Sequence, residues 1–364
     1  MLPSQTSRLV SLGPTGLVFT KVGPRSLVLV GKQGRSKLGG CGIFSLLLPL
    51  LVLMSMGSGT VNAQSWPQST LWNQSPLRLN PASSGNLYSL DASASVRKQW
   101  QDLEGSPTST QFAIGAPVYI ANAGVSIGYE RDEIGLQSVN LFRAGLAYKV
   151  FSKDELSISV GGAITYRQAA LDAGALRTET GTYDNGIISH FDNLLPVNDQ
   201  SNSSTGFDAG LEIKWRETRI GVSVLDLNEP VSEWSGVNRK WSRTILTHAN
   251  TFIPVAELID IEASILMQVD QSSVQSVVSA TAWYDNNIGL GSALRGYDGN
   301  TLDAVSILLG WRPNEKITLA YAYDVGLSTL ARSHQGSHEV VLRYVMIDPI
   351  GKGKLPPIIF NPRL

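Results

Sequence analysis

Cysteine is almost absent from this chain of 364 residues: Cys41 is the only one, and it stands within the first 63. The remainder therefore has no disulfide, thiol nucleophile or cysteine metal site, a pattern suited to an oxidising compartment. Long apolar runs are also missing. After residue 63 no stretch of 18 apolar residues occurs, which excludes helical membrane spans there. The four histidines, His190, His248, His334 and His338, show neither H-E-x-x-H nor another ligand spacing, so they read as ordinary polar residues. Gly351-Lys352-Gly353-Lys354 lacks the glycine spacing and following helix of a phosphate loop and reads as a solvated basic tail.

The first 63 residues differ from the rest. Arg8, Lys21, Arg25, Lys32, Arg35 and Lys37 form a basic stretch without an acidic residue, followed by an apolar core from Ile43 to Met56 that is short for a span. Val61-Asn62-Ala63 has the small residues of a cleavage site, so a signal peptide over 1–63 is expected, with Gln64 as the mature N-terminus. Leu38-Gly39-Gly40-Cys41 has the composition of a lipobox, but it precedes the apolar stretch instead of following it. Removing the six leader cations from 29 basic residues leaves 23 against 30 acidic ones, a net charge of about −7. Nucleic acid is excluded as an expected partner.

What the chain has in quantity is period-two alternation. In Leu156 to Arg167, the residues Leu156, Ile158, Val160, Ile164 and Tyr166 share one parity, while Ser157, Ser159, Ala163, Thr165 and Arg167 share the other. Side chains leave a pleated strand on alternate faces, so this is a strand with two unlike sides. The same sorting recurs in Tyr88 to Arg97, Phe207 to Trp215, Ile261 to Asp270 and His338 to Met346, where Asp208, Glu212, Glu262, Glu339 and Arg343 all fall on the polar parity. A charge facing lipid at mid-membrane costs roughly 2–4 kcal/mol, so this segregation is what a membrane barrel requires. A half-buried soluble sheet shows it as well.

The connectors separate those readings. With the first strand running outward, the outer connectors fall near 99–107, 169–205, 227–240 and 325–335, with a short one at Gln271-Ser272. The inner ones fall near Phe151–Asp154, Arg216–Glu217, Pro254–Ala256, Asp285–Asn286 and Pro313–Asn314. Long loops on one side and short turns on the other are the outer-membrane arrangement. The expectation is an all-β fold, a transmembrane antiparallel β-barrel of about fourteen strands over 88–346, with a periplasmic C-terminal tail at 347–364. Trp100, Trp215, Trp241, Trp283 and Trp311 fall at strand ends and are candidates for the aromatic girdle. The segment 64–87, rich in Pro, Asn, Gln and Trp, is expected in the lumen or at the periplasmic mouth, because a barrel of this width is either open or filled. The connector from Ala169 to Thr205, carrying Phe191, Leu194, Leu195 and Pro196, is long enough to be a lid or binding surface.

Several short motifs occur in succession: Asn80-Pro81-Ala82 with Gly85, Arg97 with Gln99-Trp100, Pro107, Leu156-Ser157, Tyr321-Ala322-Tyr323-Asp324, and Gly336-Ser337-His338-Glu339. Together they resemble the PorP/SprF family of outer-membrane proteins, which belong to the type IX secretion and gliding systems of Bacteroidetes. The likeness covers essentially the whole mature chain. It departs from the family at Ser69-Thr70-Leu71-Trp72, where a Ser-Gln-Tyr-like segment is usual, and at Ser83, where an aromatic is common. These departures point to an N-terminal contact surface specialised for a different partner.

The resemblance implies an outer-membrane protein without enzymatic activity, working with type IX machinery subunits to export or anchor large adhesin-like surface proteins that bear type B C-terminal sorting domains. No catalytic, cofactor or metal residues are expected. Asn80, Pro81, Ala82, Gly85, Arg97, Trp100, Tyr323, Asp324, Gly336, Ser337, His338 and Glu339 are the structural or partner-contact candidates. Gly85 has the freedom for a bend before the first strand, and Asp324 and Glu339 lie on the polar parity, within reach of Arg97 or Arg343 across the closing seam. Two alternatives stand beside this reading. One is a passive porin with an open lumen, and the other is a rim-sited hydrolase using His190 with Asp192, or Ser333 with His334.

Overall fold

Alternation along the strands sorts side chains by solvent. In the strand Leu156–Leu171, Val160, Ile164 and Tyr166 are exposed, while Ser159, Ala163, Thr165 and Arg167 are buried. Apolar residues thus point away from the molecule and polar ones toward its interior, the reverse of a soluble sheet and the arrangement of a barrel wall facing lipid. The computed structural model describes residues 66–184, 189–191, 195–234, 237–271, 273–297, 301–327, 331 and 333–346, all within one compact unit. The expected leader at 1–63 and tail at 347–364 lie outside the described residues.

Among the described residues, sixteen strands follow in chain order. They are β1 (Asp91–Lys98), β2 (Thr108–Val118), β3 (Ala123–Ile134), β4 (Gln137–Lys153), β5 (Leu156–Leu171), β6 (Gln200–Trp215), β7 (Thr218–Leu225), β8 (Val231–Trp234), β9 (Val237–Lys240), β10 (Thr244–Ala256), β11 (Ile259–Val269), β12 (Val274–Tyr284), β13 (Ile288–Tyr297), β14 (Thr301–Asn314), β15 (Ile317–Gly326) and β16 (Ser337–Val345). Fourteen of them form a closed antiparallel barrel, each paired with its sequence neighbour, with β7 joined directly to β10 and β1 to β16. The remaining two, β8 and β9, form a separate hairpin in the connector between β7 and β10. Closure leaves no edge strand in the barrel, which satisfies the backbone throughout the bilayer.

Every inner connector is two to four residues long, and the left-handed conformations these turns demand fall on Asn122, Asp154, Arg216, Asp285 and Asn286. The outer side holds the long connectors 99–107, 172–199, 226–243 and 327–336, together with short ones at 135–136, 270–273 and 298–300. Strands are longer than their sequence patterns indicate. Inner turns expected at Pro254–Ala256 and Pro313–Asn314 lie instead at 257–258 and 315–316, because both prolines sit at register shifts near the rim, where a missing N–H is tolerated. The long outer connector likewise begins at 172 and ends at 199, since β5 and β6 project beyond the rim.

The girdle expectation holds for two of the five tryptophans. Trp215 (43% exposed) and Trp311 (53%) face outward near the inner rim, accompanied by exposed Tyr88, Tyr148, Phe151, Tyr284 and Tyr344. Trp283 (2%) faces inward beneath the Arg312 guanidinium, and Trp241 (3%) lies between the guanidiniums of Arg167 and Arg239 under the outer hairpin. Trp100 belongs to the outer connector 99–107, with φ +48°. Position at a strand end fixed the depth of these rings and left open which side of the wall they take.

Candidate functional site in the barrel lumen

Residues 66–86 fill the lumen. They run as short turns, Trp72–Gln74, Pro76–Leu79 and Pro81–Asn86, two of which start on proline, where the missing N–H and preset φ favour helical entry. Trp72, Leu77, Leu79 and Ala82 are buried and supply the apolar part of the plug. Asn80 stands, with extended backbone, between the last two of these turns. Its Oδ1 accepts from the Ala82 N–H at 2.9 Å, capping the last turn, while its Nδ2 donates to the Leu211 carbonyl of the wall at 2.9 Å.

That turn fits because the wall presents glycines where the backbone comes closest. A Cβ at Gly161 would lie 2.5 Å from the Ala82 nitrogen, one at Gly124 would run into the Ser84 carbonyl, and one at Gly210 into the Asn80 Oδ1. Gly85, on the plug, packs against Ser159 and Ala147, so it serves close approach and not the bend expected before the first strand. Asn80, Pro81, Ala82 and Gly85 are thus brought together in a cradle of glycines on β3, β5 and β6. Beside the cradle, Ser83 and Asn86 donate to Glu212 at 2.5 and 3.1 Å, and His248 lies 3.5 Å from the same carboxylate.

The other motif residues assemble at the outer end of the β1–β16 seam. Arg97 and Glu339 stand directly opposite in the ladder, and Arg97 pairs with Asp324 at 2.7 Å and Glu339 at 3.0 Å. Arg295, which the sequence reading did not single out, pairs with Asp324 at 3.0 Å. The plug enters this cluster through Ser69, whose hydroxyl donates to Glu339 at 2.6 Å, and through the Thr70 N–H, which donates to it at 2.7 Å. The Thr70 hydroxyl donates to Asp324 at 3.0 Å and accepts from Arg97 at 3.3 Å and from Arg295.

Arg343, the alternative partner for Asp324 and Glu339, pairs instead with Asp91 at 2.6 Å, near the inner end of the seam. Around the cluster, the Tyr323 and His338 rings lie 5.0 Å apart and the Trp100 N–H donates to the Ser337 hydroxyl at 3.2 Å. Gly336, with φ +85°, lets the chain turn against the Asp324 carbonyl. The twelve motif candidates therefore form two groups, one at each end of the plug.

Between the two groups lie residues that the motifs missed. Plug Arg78 pairs with Glu130 of β3 at 2.9 Å. Wall Arg143 pairs with Asp208 at 2.9 Å, donates to the Arg78 carbonyl at 2.5 Å and covers the Trp66 ring at 5.1 Å. Asn73 donates to Glu262 at 2.7 Å, and the same carboxylate accepts from Asn250 and Trp283. Charge on the polar parity was the available signal for Asp208, Glu212 and Glu262, but partners so far apart in sequence meet only after closure. Two cavities between plug and wall measure about 20 Å³ each, room for about one water apiece.

Of the two hydrolase pairings, Ser333 with His334 forms no triad among the described residues, and His190 with Asp192 falls partly outside them. His334 accepts the Gly336 N–H on Nδ1 at 2.9 Å, and His190 is buried against the Tyr183 hydroxyl at 3.1 Å, while Asp192 and Leu194 lie outside the described residues. Outside the barrel wall, Glu229 pairs with Lys240 at 2.7 Å, a hydrogen bond that holds this carboxyl below its ordinary range.

A closed cylinder with an apolar exterior, a polar interior and its own N-terminal segment inside defines a plugged outer-membrane β-barrel. Residues 61–344 match the model of the family described as "Type IX secretion system membrane protein PorP/SprF", and the chain belongs to that family. Among solved structures it is similar to the toluene transporter TbuX of Ralstonia pickettii, at 12% identity and TM-score 0.44 over 74% of this chain and 93% of that one. It is also similar to a FadL homologue of Pseudomonas aeruginosa, at 11% identity and TM-score 0.42 over 73% and 92%. The toluene transporter TodX of P. putida gives 10% identity and TM-score 0.39 over 80% and 97%. No curated protein matches the chain.

Proposed function

We propose that this protein is a non-enzymatic subunit of the type IX secretion and gliding machinery that assists export or surface anchoring of large adhesin-like proteins bearing type B C-terminal sorting domains. Its partners are the other machinery subunits, outer-membrane lipid and that secreted client. The observation that carries the reading beyond family membership is the filled lumen. A passive porin works through a standing aqueous passage, whereas here residues 66–86 are wedged among wall glycines and bonded to carboxylates around the ring. The described histidines support the non-enzymatic part, since His190, His334 and His338 are engaged with neighbouring tyrosines or backbone and His248 with Glu212.

Deleting the gene is expected to strip one or a few large proteins from the cell surface while general type IX cargo persists. An unchanged surface proteome rejects the assignment. In planar bilayers the purified protein is expected to conduct poorly; steady porin-like conductance of the unmodified barrel favours the passive-channel alternative.

A further inference from the structure

Arg78 is the only charged residue between Trp66 and Asn86. The wall, by contrast, is rich in charge, and its carboxylates that meet the plug have partners of their own. Asp324 and Glu339 keep Arg97, Glu212 keeps His248, and Glu262 keeps Asn250 and Trp283. Glu130 alone among those contacting the plug has no wall partner within the described residues; it faces Arg78. Removing the plug therefore strips one wall carboxylate of its counter-charge and leaves the other ionic groups paired.

Much of the remaining grip is on main-chain atoms. Glu339 accepts the Thr70 and Leu71 N–H groups, Ser223 donates to the Leu79 carbonyl and Arg143 to the Arg78 carbonyl. Such contacts are available to any polypeptide lying in the same path. The plug also runs the length of the lumen. Trp66 lies beside Gln268 and Gln275 at the outer ends of β11 and β12, whereas the turn after Asn80 meets Gly124 and Gly161 near the inner ends of β3 and β5. Leu87–Leu90 then leads into β1 at the inner rim. The segment is tethered at the inner mouth, and its withdrawal toward that side breaks no ladder of the barrel.

We infer that the lumen wall is a polypeptide-binding site whose resident occupant is the chain's own segment 66–86, latched by the single Arg78–Glu130 ion pair, and that another polypeptide able to take the same narrow turn, uncharged apart from one basic residue, takes over the same contacts when the latch opens. The secretory reading above bears only on the source of that polypeptide. The site itself is tested with purified protein and a synthetic peptide, so its failure and the failure of that reading are told apart.

The full-length mature barrel is reconstituted in planar bilayers. Arg78→Glu is expected to raise the open fraction at least about tenfold over the unmodified protein. Combining it with Glu130→Arg is expected to restore the closed state. A synthetic peptide with the sequence of residues 66–86 is expected to block the Arg78→Glu barrel saturably, and the same peptide carrying R78E to block it at least about tenfold less well. Arg78→Gln, which removes the charge without reversing it, gives the conductance reading if the reversed charge prevents assembly. A folded, heat-shifted Arg78→Glu or Arg78→Gln barrel as silent as the unmodified protein overturns the proposal. So does a double reversal that stays open, or equal block by the two peptides.

Discussion

The two ends of the plug are held by different physics. At the outer end, Ser69 and Thr70 enter a cluster of two arginines and two carboxylates that is already paired within the wall. At the inner end, Asn80 to Gly85 fit a surface from which side chains have been removed, and the bonds there come from neutral donors. Charge therefore organises the wall and offers the plug a set of fixed acceptors, while shape decides whether the plug can be in the lumen at all. A charge cluster tolerates a different visitor; a steric cradle tolerates only a narrow turn.

The largest effect is expected from the charged end. Arg97→Ala leaves Asp324 and Glu339 buried with reduced pairing and is expected to cost about 3–5 kcal/mol, read as a lower temperature for loss of the folded band on semi-native gels. Because the steric seat is untouched, Arg78 should stay protected from trypsin in detergent. Gly161→Val is expected to cost less, about 1–3 kcal/mol, yet to expose Arg78 to trypsin, since its side chain occupies the place of the Pro81–Ala82 backbone. If Arg97→Ala exposes Arg78 and Gly161→Val does not, the division of labour is reversed.

Glu212→Gln keeps the shape and an acceptor for Ser83 and Asn86 but removes the charge facing His248; a loss of about 1 kcal/mol in the same melting assay is expected. Trp311→Ala, on the lipid side of the wall, serves as the control at about 0.5 kcal/mol or less, with Arg78 still protected.

Much of the wall was legible in the sequence because its rule is local. Parity in β5 and β6 names the lumen side residue by residue, and the alternation of short and long connectors orients the cylinder. Strand ends were read too early at Pro254 and Pro313, since a proline at a register shift near the rim looks the same in sequence as one in a turn. The site was legible only in part. The arrangement of Arg97 with Asp324 and Glu339 follows from polar parity on strands joined at the seam, whereas Arg295, also on the inward parity but two strands from Asp324, belongs to no motif that ties it to them. Gly124, Gly161 and Gly210 read as ordinary small residues in strands, because what gives them a role is a turn from a distant part of the chain. The same distance hides Thr70, which meets Asp324 across 254 positions of sequence.

Only a few residues separate the plug from β1, the strand that zips to β16 to complete the ring. Stopper and seam are consecutive pieces of one stretch of chain, so the cork is leashed to the very strand that closes the ring, with only residues 87–90 as slack between them.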